Sequence, residues 1–191
     1  MHHAASRDRF FEVVAGPEFD GVRGATDFLV SELLKVETAI EEYHALQLPL
    51  SWIHGDLHYD NVLTADEKVS GLLDFEFCAR DWRAMELAIC LSKYVGEPEP
   101  MPYLLEYIAG FAEGGGVLTE AEIKALPALI NLRVLSNVVY FVGRALGGED
   151  DIKSLTTRAE AYAARVRWVN ANGALLQRTL TDAVLKPAGA R

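Results

Sequence analysis

Cysteine is nearly absent from this chain. The two residues, Cys78 and Cys90, form no CxxC pair and have no neighbours at zinc-ligand spacing. That excludes a disulfide framework and a zinc knuckle, and reads as two reduced thiols in or near the core of a cytoplasmic protein. Basic residues are also short: 18 Lys and Arg against 28 Asp and Glu give a net charge of −10. Such a balance argues against nucleic acid or an anionic membrane as the main partner. Residues 1–9 contain no apolar core of a secretory signal, and no run of about 18 apolar residues is expected to span a membrane. No G-x-G-x-x-G occurs, and Lys35 is the only lysine before residue 54. There is no internal repeat and no low-complexity tract. Half of the 191 residues are hydrophobic, enough for one buried core.

The pattern along the chain predicts an α+β fold that is mostly helical. Residues 1–24 form an N-terminal segment broken by Gly16-Pro17, Gly21 and Gly24, with Phe10, Phe11, Val13 and Val14 as a short buried turn or docking segment. A helix is predicted over 26–46 from the spacing of Phe28, Leu33, Val36, Ile40 and Tyr43. Leu48-Pro49-Leu50 ends it and leads into a strand over 51–54. Residues 61–64 and 69–75, joined by a turn at 65–68, read as a β-hairpin. Everything after Asp81 reads as helix: 82–94, then 101–113, which is stopped by three glycines. A capping box at Thr119-x-x-Glu122 opens another helix, which Pro127 divides from a buried central one over 129–146. A second capping box at Thr157-x-x-Glu160 opens or re-caps a helix to about 180, and 186–191 is a frayed tail. Trp82, Tyr94, Tyr140 and Trp168 read as core residues.

Against this background stands the run His54-Gly55-Asp56-Leu57-His58-Tyr59-Asp60-Asn61, followed by Gly71-Leu72-Leu73-Asp74-Phe75-Glu76. Its order, H-x-D-x-x-x-x-N and then an aspartate after an apolar strand, is what phosphoryl transfer to a hydroxyl requires. Asp56 is the candidate base that orients and deprotonates the hydroxyl. Asn61 and Asp74 are candidate ligands for Mg2+, a hard cation suited to oxygen donors. Glu76 either adds a carboxylate to that ion or points outward. An aspartate closing Leu72-Leu73 would bury a charge unless an ion compensates it. His54 is expected to bond backbone near the loop, and His58 either approaches phosphate or substrate or does not. Asp60 is expected in solvent. Glu86 either accepts backbone amides of the loop or is an exposed helix residue. Asp81 and Arg83 either line the substrate side or only open the helix. The net charge does not exclude ATP, whose phosphates are handled locally.

The runs HGDLHYDNVL, GLLDFEF and DWRAMELA resemble the aminoglycoside phosphotransferase and choline kinase superfamily, whose fold is that of protein kinases, and most of all its branch of bacterial type II homoserine kinases. The resemblance implies that residues 25–185 form the kinase-like C-terminal lobe, with a catalytic loop at 54–61 and a metal strand at 69–76. It implies Asp56 as catalytic base, Asn61 and Asp74 as Mg2+ ligands, Glu76 as accessory acid, and Glu86 in the loop-bracing position where the family has aspartate. ATP is the implied co-substrate, and a small hydroxyl compound (homoserine, choline, a thio-sugar or an aminoglycoside) the implied acceptor. The family's N-terminal nucleotide lobe has no counterpart in residues 1–53, so weak or no turnover is expected from this chain alone, with a separate N-lobe chain or a second copy as possible partners. Two other readings stay open: a non-catalytic binding or scaffold protein derived from such a lobe, and a metal-dependent hydrolase using Asp56, Asp74 and Glu76.

Overall fold

A computed structural model describes residues 2–185; the tail expected at 186–191 lies outside them. The N-terminal segment, expected as a short buried turn or docking segment, is helical. Helix α1 (His2–Val14) and a 3-10 turn (Pro17–Val22) precede α2 (Arg23–Ala45). Arg23 joins them: its guanidinium donates to the Val14 carbonyl at 2.6 Å and the Gly16 carbonyl at 2.8 Å, and pairs with Asp20 at 2.7 Å. It thereby satisfies carbonyls that the end of α1 leaves without donors. Phe10, Val14 and Phe19 are then buried against α2 and the bundle.

Two small antiparallel sheets follow. Strand β1 (Leu50–Ile53) pairs with β4 (Ala79–Trp82), and β2 (Val62–Ala65) pairs with β3 (Lys68–Leu72). The hairpin turn is built on Asp66 and Glu67, both at positive φ, the geometry that matches strand twist in a two-residue turn. Three expectations change here. β4 is a strand that was not expected: Ala79, Arg80, Asp81 and Trp82 pair with Ile53, Trp52, Ser51 and Leu50, so the helix expected over 82–94 begins at Arg83. The metal strand 69–76 ends at Leu72, and 75–77 form a 3-10 turn. Asp74 is exposed, as are Leu72 and Leu73, so no charge is buried at that point.

The rest is a helical bundle: α3 (Arg83–Tyr94), α4 (Pro100–Glu113), α5 (Glu120–Leu146) and α6 (Ile152–Leu180). Leu126, Leu129 and Ile130 of α5 share one core with Val169, Leu176 and Leu180 of α6, and Val134, Leu135 and Val138 share the other with Leu155, Ala159 and Val166. The two long helices therefore run antiparallel through both halves of the core. Pro127 does not divide α5. The ring removes the amide that would bond the Ile123 carbonyl, and the helix runs on through it; beside it, Gln177 of α6 donates to the Lys124 carbonyl at 2.9 Å. Gly173 lets α6 approach, since a Cβ there would sit 3.1 Å from the Pro127 ring. Thr157 lies inside α6, whose N-cap is Asp151, accepting from the Lys153 amide. Helix α5 is long and apolar enough to cross a membrane, but half of its most apolar window is buried inside the bundle. Tyr140 and Cys78 are exposed rather than core. Cys90 is buried, which pushes its thiol up to about 12.

The capping box that opens α5 is formed, and Arg83 completes it. Glu122 is fully buried. It accepts from the Thr119 amide at 2.7 Å and from Arg83 Nε and Nη2 at 3.0 and 2.6 Å. Arg83 is thus tied to the core of the fold through Glu122, with its side chain 37% exposed. Burial alone would push the Glu122 carboxyl up, but the Arg83 and Thr119 bonds outweigh it and hold it below its usual 4.5. A carboxyl depressed in the folded state contributes stability that is present above its unfolded pKa and lost as pH falls through the folded one. Glu122→Gln should therefore cost stability near neutral pH, with the gap closing in acid. Urea unfolding at about pH 7 and about pH 3 checks this, and a gap of equal size at both would contradict it.

Candidate active site

Strand β1 delivers His54 to the foot of the bundle, where the chain turns sharply. Gly55 has φ +82, and a Cβ on it would collide with the Phe77 backbone carbonyl. Only glycine meets both conditions without strain. The turn is clamped from two sides. Glu86 Oε2, on the first turns of α3, accepts the His54 amide at 2.5 Å and the Gly55 amide at 3.4 Å. The buried His54 ring bridges to the next strand end. Its Nε2 lies 2.7 Å from the Leu73 carbonyl, and its Nδ1 lies 3.3 Å from the Asp56 amide. A carbonyl can only accept and an amide can only donate, so His54 is neutral with its proton on Nε2. Phe75 packs against the ring at 4.6 Å between centroids.

Asp56 follows directly and is the most heavily engaged acid in the loop. Oδ1 is paired with Arg133 of α5. Oδ2 lies 3.4 Å from Asn61 Nδ2 and 3.5 Å from His58 Nε2. The Asn61 amide also donates to the Asp56 carbonyl at 2.9 Å. That assigns its nitrogen to the loop and leaves Oδ1 as the acceptor able to face a cation. His58 Nδ1 caps the 3-10 turn (Tyr59–Asn61) by accepting from the Asp60 amide at 3.3 Å. Asp60 is exposed but not merely solvated: Lys93 of α3 pairs with it at 2.7 Å and holds its carboxyl below the usual range.

Asn61 and Asp74 are brought together through the backbone, since the Leu73 amide donates to the Asn61 carbonyl at 2.9 Å. Asp74 itself is left-handed, at φ +64 and ψ +58. Aspartate tolerates that region better than most residues, yet it still costs energy, and such strain gathers at functional sites. Glu76 is exposed in the following turn, and Asp81 is exposed on β4, where it accepts the Trp82 amide at 2.6 Å. Neither is drawn to Asp56. Among the described residues, no three His, Cys, Asp or Glu gather as a metal cage. That donor set suits Mg2+, which commonly takes one or two protein oxygens and completes its shell with phosphates and water. It does not suit a hydrolase that would need Asp56, Asp74 and Glu76 on one ion.

The model of the phosphotransferase enzyme family (APH) matches residues 17–125, more than half of the chain, and spans every residue of this loop and its Glu86 brace. The chain belongs to that family. Among curated proteins it is similar to a homoserine kinase of Nitrobacter hamburgensis, 38% identical over 118 residues, which are 60% of this chain and 35% of the relative. It is also similar to homoserine kinases of Rhodospirillum rubrum, 35% identical over 59% of this chain and 37% of the relative, and Rhizobium meliloti, 36% identical over 56% and 32%. The chain thus spans about a third of the length of the curated relatives it matches.

Within this candidate site, sequence reasoning missed Arg133 and Lys93. The signal for Arg133 was present: it is the sole charged residue between Lys124 and Arg144, in an otherwise apolar stretch of α5. A lone charge there needs a counter-ion, and nothing local supplies one.

Proposed function

We propose that this chain carries the catalytic loop for transfer of the ATP γ-phosphoryl group to the hydroxyl of a small, homoserine-like acceptor, in a cytoplasmic setting where ATP is at hand. The observation that supports the reading is the bonding of Asn61, whose side-chain amide donates to Asp56 and whose carbonyl accepts the Leu73 amide, so that the Asp56 loop is linked to the segment that carries Asp74. Asp56 would accept the hydroxyl proton as the acceptor oxygen attacks phosphorus. Asn61 Oδ1 and Asp74 would hold Mg2+, with Glu76 near enough in sequence to bond a water of its shell. Bound there, the ion would neutralise charge on the nucleotide phosphates. His54 and Glu86 would keep the loop in place without touching substrate, and preorganisation of this kind supplies much of phosphoryl-transfer catalysis.

Trp52, Val69, Phe75 and Phe77 stand exposed around the loop. A nucleotide-gripping lobe, a separate chain or a second copy would cover them in this reading. The test is calorimetric titration of MgATP into the natural chain and Asp74→Asn. Binding is expected, and the variant should weaken it by about tenfold or more, the loss of one charged donor to a hard cation. Equal affinity in both would remove Asp74 from the metal site. No binding by the natural chain would favour the non-catalytic binding or scaffold reading.

A further inference from the structure

Helices α2, α5 and α6 border a groove of about 430 Å3, within the range that holds small ligands. Asn131 of α5 lines it, whereas Arg133 of the same helix meets Asp56. Two residues turn a helix by about 200°, so the groove and the Asp56 loop lie on different faces of α5. One hydrogen-bond chain runs along the groove wall. Asn131 Nδ2 donates to Asn170 Oδ1 at 2.8 Å, and Asn170 Nδ2 donates to Glu32 Oε2 at 2.9 Å. The Glu32 carboxylate can only accept, which fixes both amides in that sense. The chain therefore ends on Asn131 Oδ1, an acceptor closed to solvent and without a hydrogen-bond partner among the described residues.

Glu32 and Asn131 are only 4% and 5% exposed, although both line the groove. A carboxylate so buried needs a counter-ion. The one it has, Lys35 at 2.6 Å, is 71% exposed and therefore a weak, solvent-screened partner. The Asn131 oxygen needs a donor, and the amide torsion of asparagine is broad enough to turn it toward one entering beside the exposed Asn170. A primary ammonium meets both needs, with three N–H donors and a positive charge. Elsewhere in the groove the balance reverses, since Lys35 and the exposed Lys124 line it against Glu32 as the single acid. An ammonium that takes over Glu32 releases Lys35 and leaves two cations facing the ligand, which an anionic group on the same molecule would answer. We propose that this groove is a second ligand site, separate from the Asp56 loop, for a small zwitterion whose primary ammonium displaces Lys35 from Glu32 and bonds Asn131 Oδ1, and whose carboxylate lies at the mouth beside Lys124. The site does not depend on the phosphotransfer reading, because none of its residues belongs to that loop.

The test is an NMR titration of the isotope-labelled chain with 4-aminobutyrate and 6-aminohexanoate, which carry both charges, and with n-butylamine and butyrate, which carry one each. At least one of the two amino acids should shift the side-chain amide signals of Asn131 and Asn170. n-Butylamine should move the same signals with an affinity about threefold lower, the worth of an exposed ion pair. Butyrate should leave them in place. Two variants of exposed lysines separate the ends of the ligand. Lys124→Met should erase the preference for the amino acid over n-butylamine. Lys35→Met removes the competitor for Glu32 and should bind n-butylamine more tightly, on the order of threefold. A disrupted fold cannot produce that gain. Unmoved Asn131 and Asn170 signals would overturn the proposal and leave ordinary solvation as the account of the groove. Shifts confined to residues 54–61 would overturn it by placing the probes at the Asp56 loop. Binding of butyrate equal to that of the amino acids, a preference that survives Lys124→Met, or weaker n-butylamine binding in Lys35→Met would each do the same.

Discussion

Gly55→Ala will destabilise the protein by about 2–4 kcal/mol, the combined cost of a side chain at φ +82 and of overpacking against a backbone carbonyl. The obstruction is the Phe77 carbonyl, which cannot rotate away as a side-chain tip can. Relief requires Gly55 to leave the left-handed region or the 75–77 turn to retreat from it. Either movement pulls at the same group of bonds, because His54 joins the loop to Leu73 and Phe75 packs on the His54 ring. In a chain of this length the loss corresponds to a melting temperature lower by roughly 5–15 °C. A thermal melt measures it, and the His54 imidazole proton on Nε2, seen by NMR, reports whether the loop has moved. A variant that melts within a degree or so of the natural chain would show that the turn relaxes freely, contrary to the backbone contact described.

Glu86→Ala should cost about 3 kcal/mol, because hydrogen bonds to a charged acceptor are worth more than neutral ones and two backbone donors lose theirs together. The Glu86 carboxylate has one oxygen on the His54 and Gly55 amides and the other buried without a partner. That asymmetry makes Glu86→Gln the informative companion. Glutamine keeps an accepting oxygen for the two amides and replaces the unpartnered oxygen with an NH2 group. It should recover most of the loss. Hydrogen exchange at the two amides separates bracing from simple helix surface. In Glu86→Ala both should lose protection beyond the change in global stability, and in Glu86→Gln they should keep it. Unchanged exchange in the alanine variant would mean that other groups hold the loop.

The helices and the hairpin were legible where local chemistry dictates them. The Thr119/Glu122 capping box, the glycines after 113 and the amphipathic spacing of α2 are patterns in which neighbouring residues settle the backbone. Errors fell where distant packing overrode local preference. Pro127 ordinarily ends a helix, yet α5 runs through it, packed closely against Gly173 of α6. Residues 79–82 have little strand character, yet β1 offers them a partner. The pairing of Arg83 with Glu122, 39 residues on, has no local signal either.

The same division runs through the candidate site. The candidate loop, its histidine and the following aspartate stand out in the sequence alone. They are contiguous, and phosphoryl transfer demands those residue types at those intervals. The tertiary structure decided everything that depends on groups remote in the chain: which tautomer His54 adopts, where Asp74 stands relative to solvent, and above all that Arg133 meets Asp56. No local pattern encodes that last contact. It follows from the depth at which α5 packs beneath the loop, which the bundle as a whole sets, and from the need of one charge in an apolar helix to find its opposite.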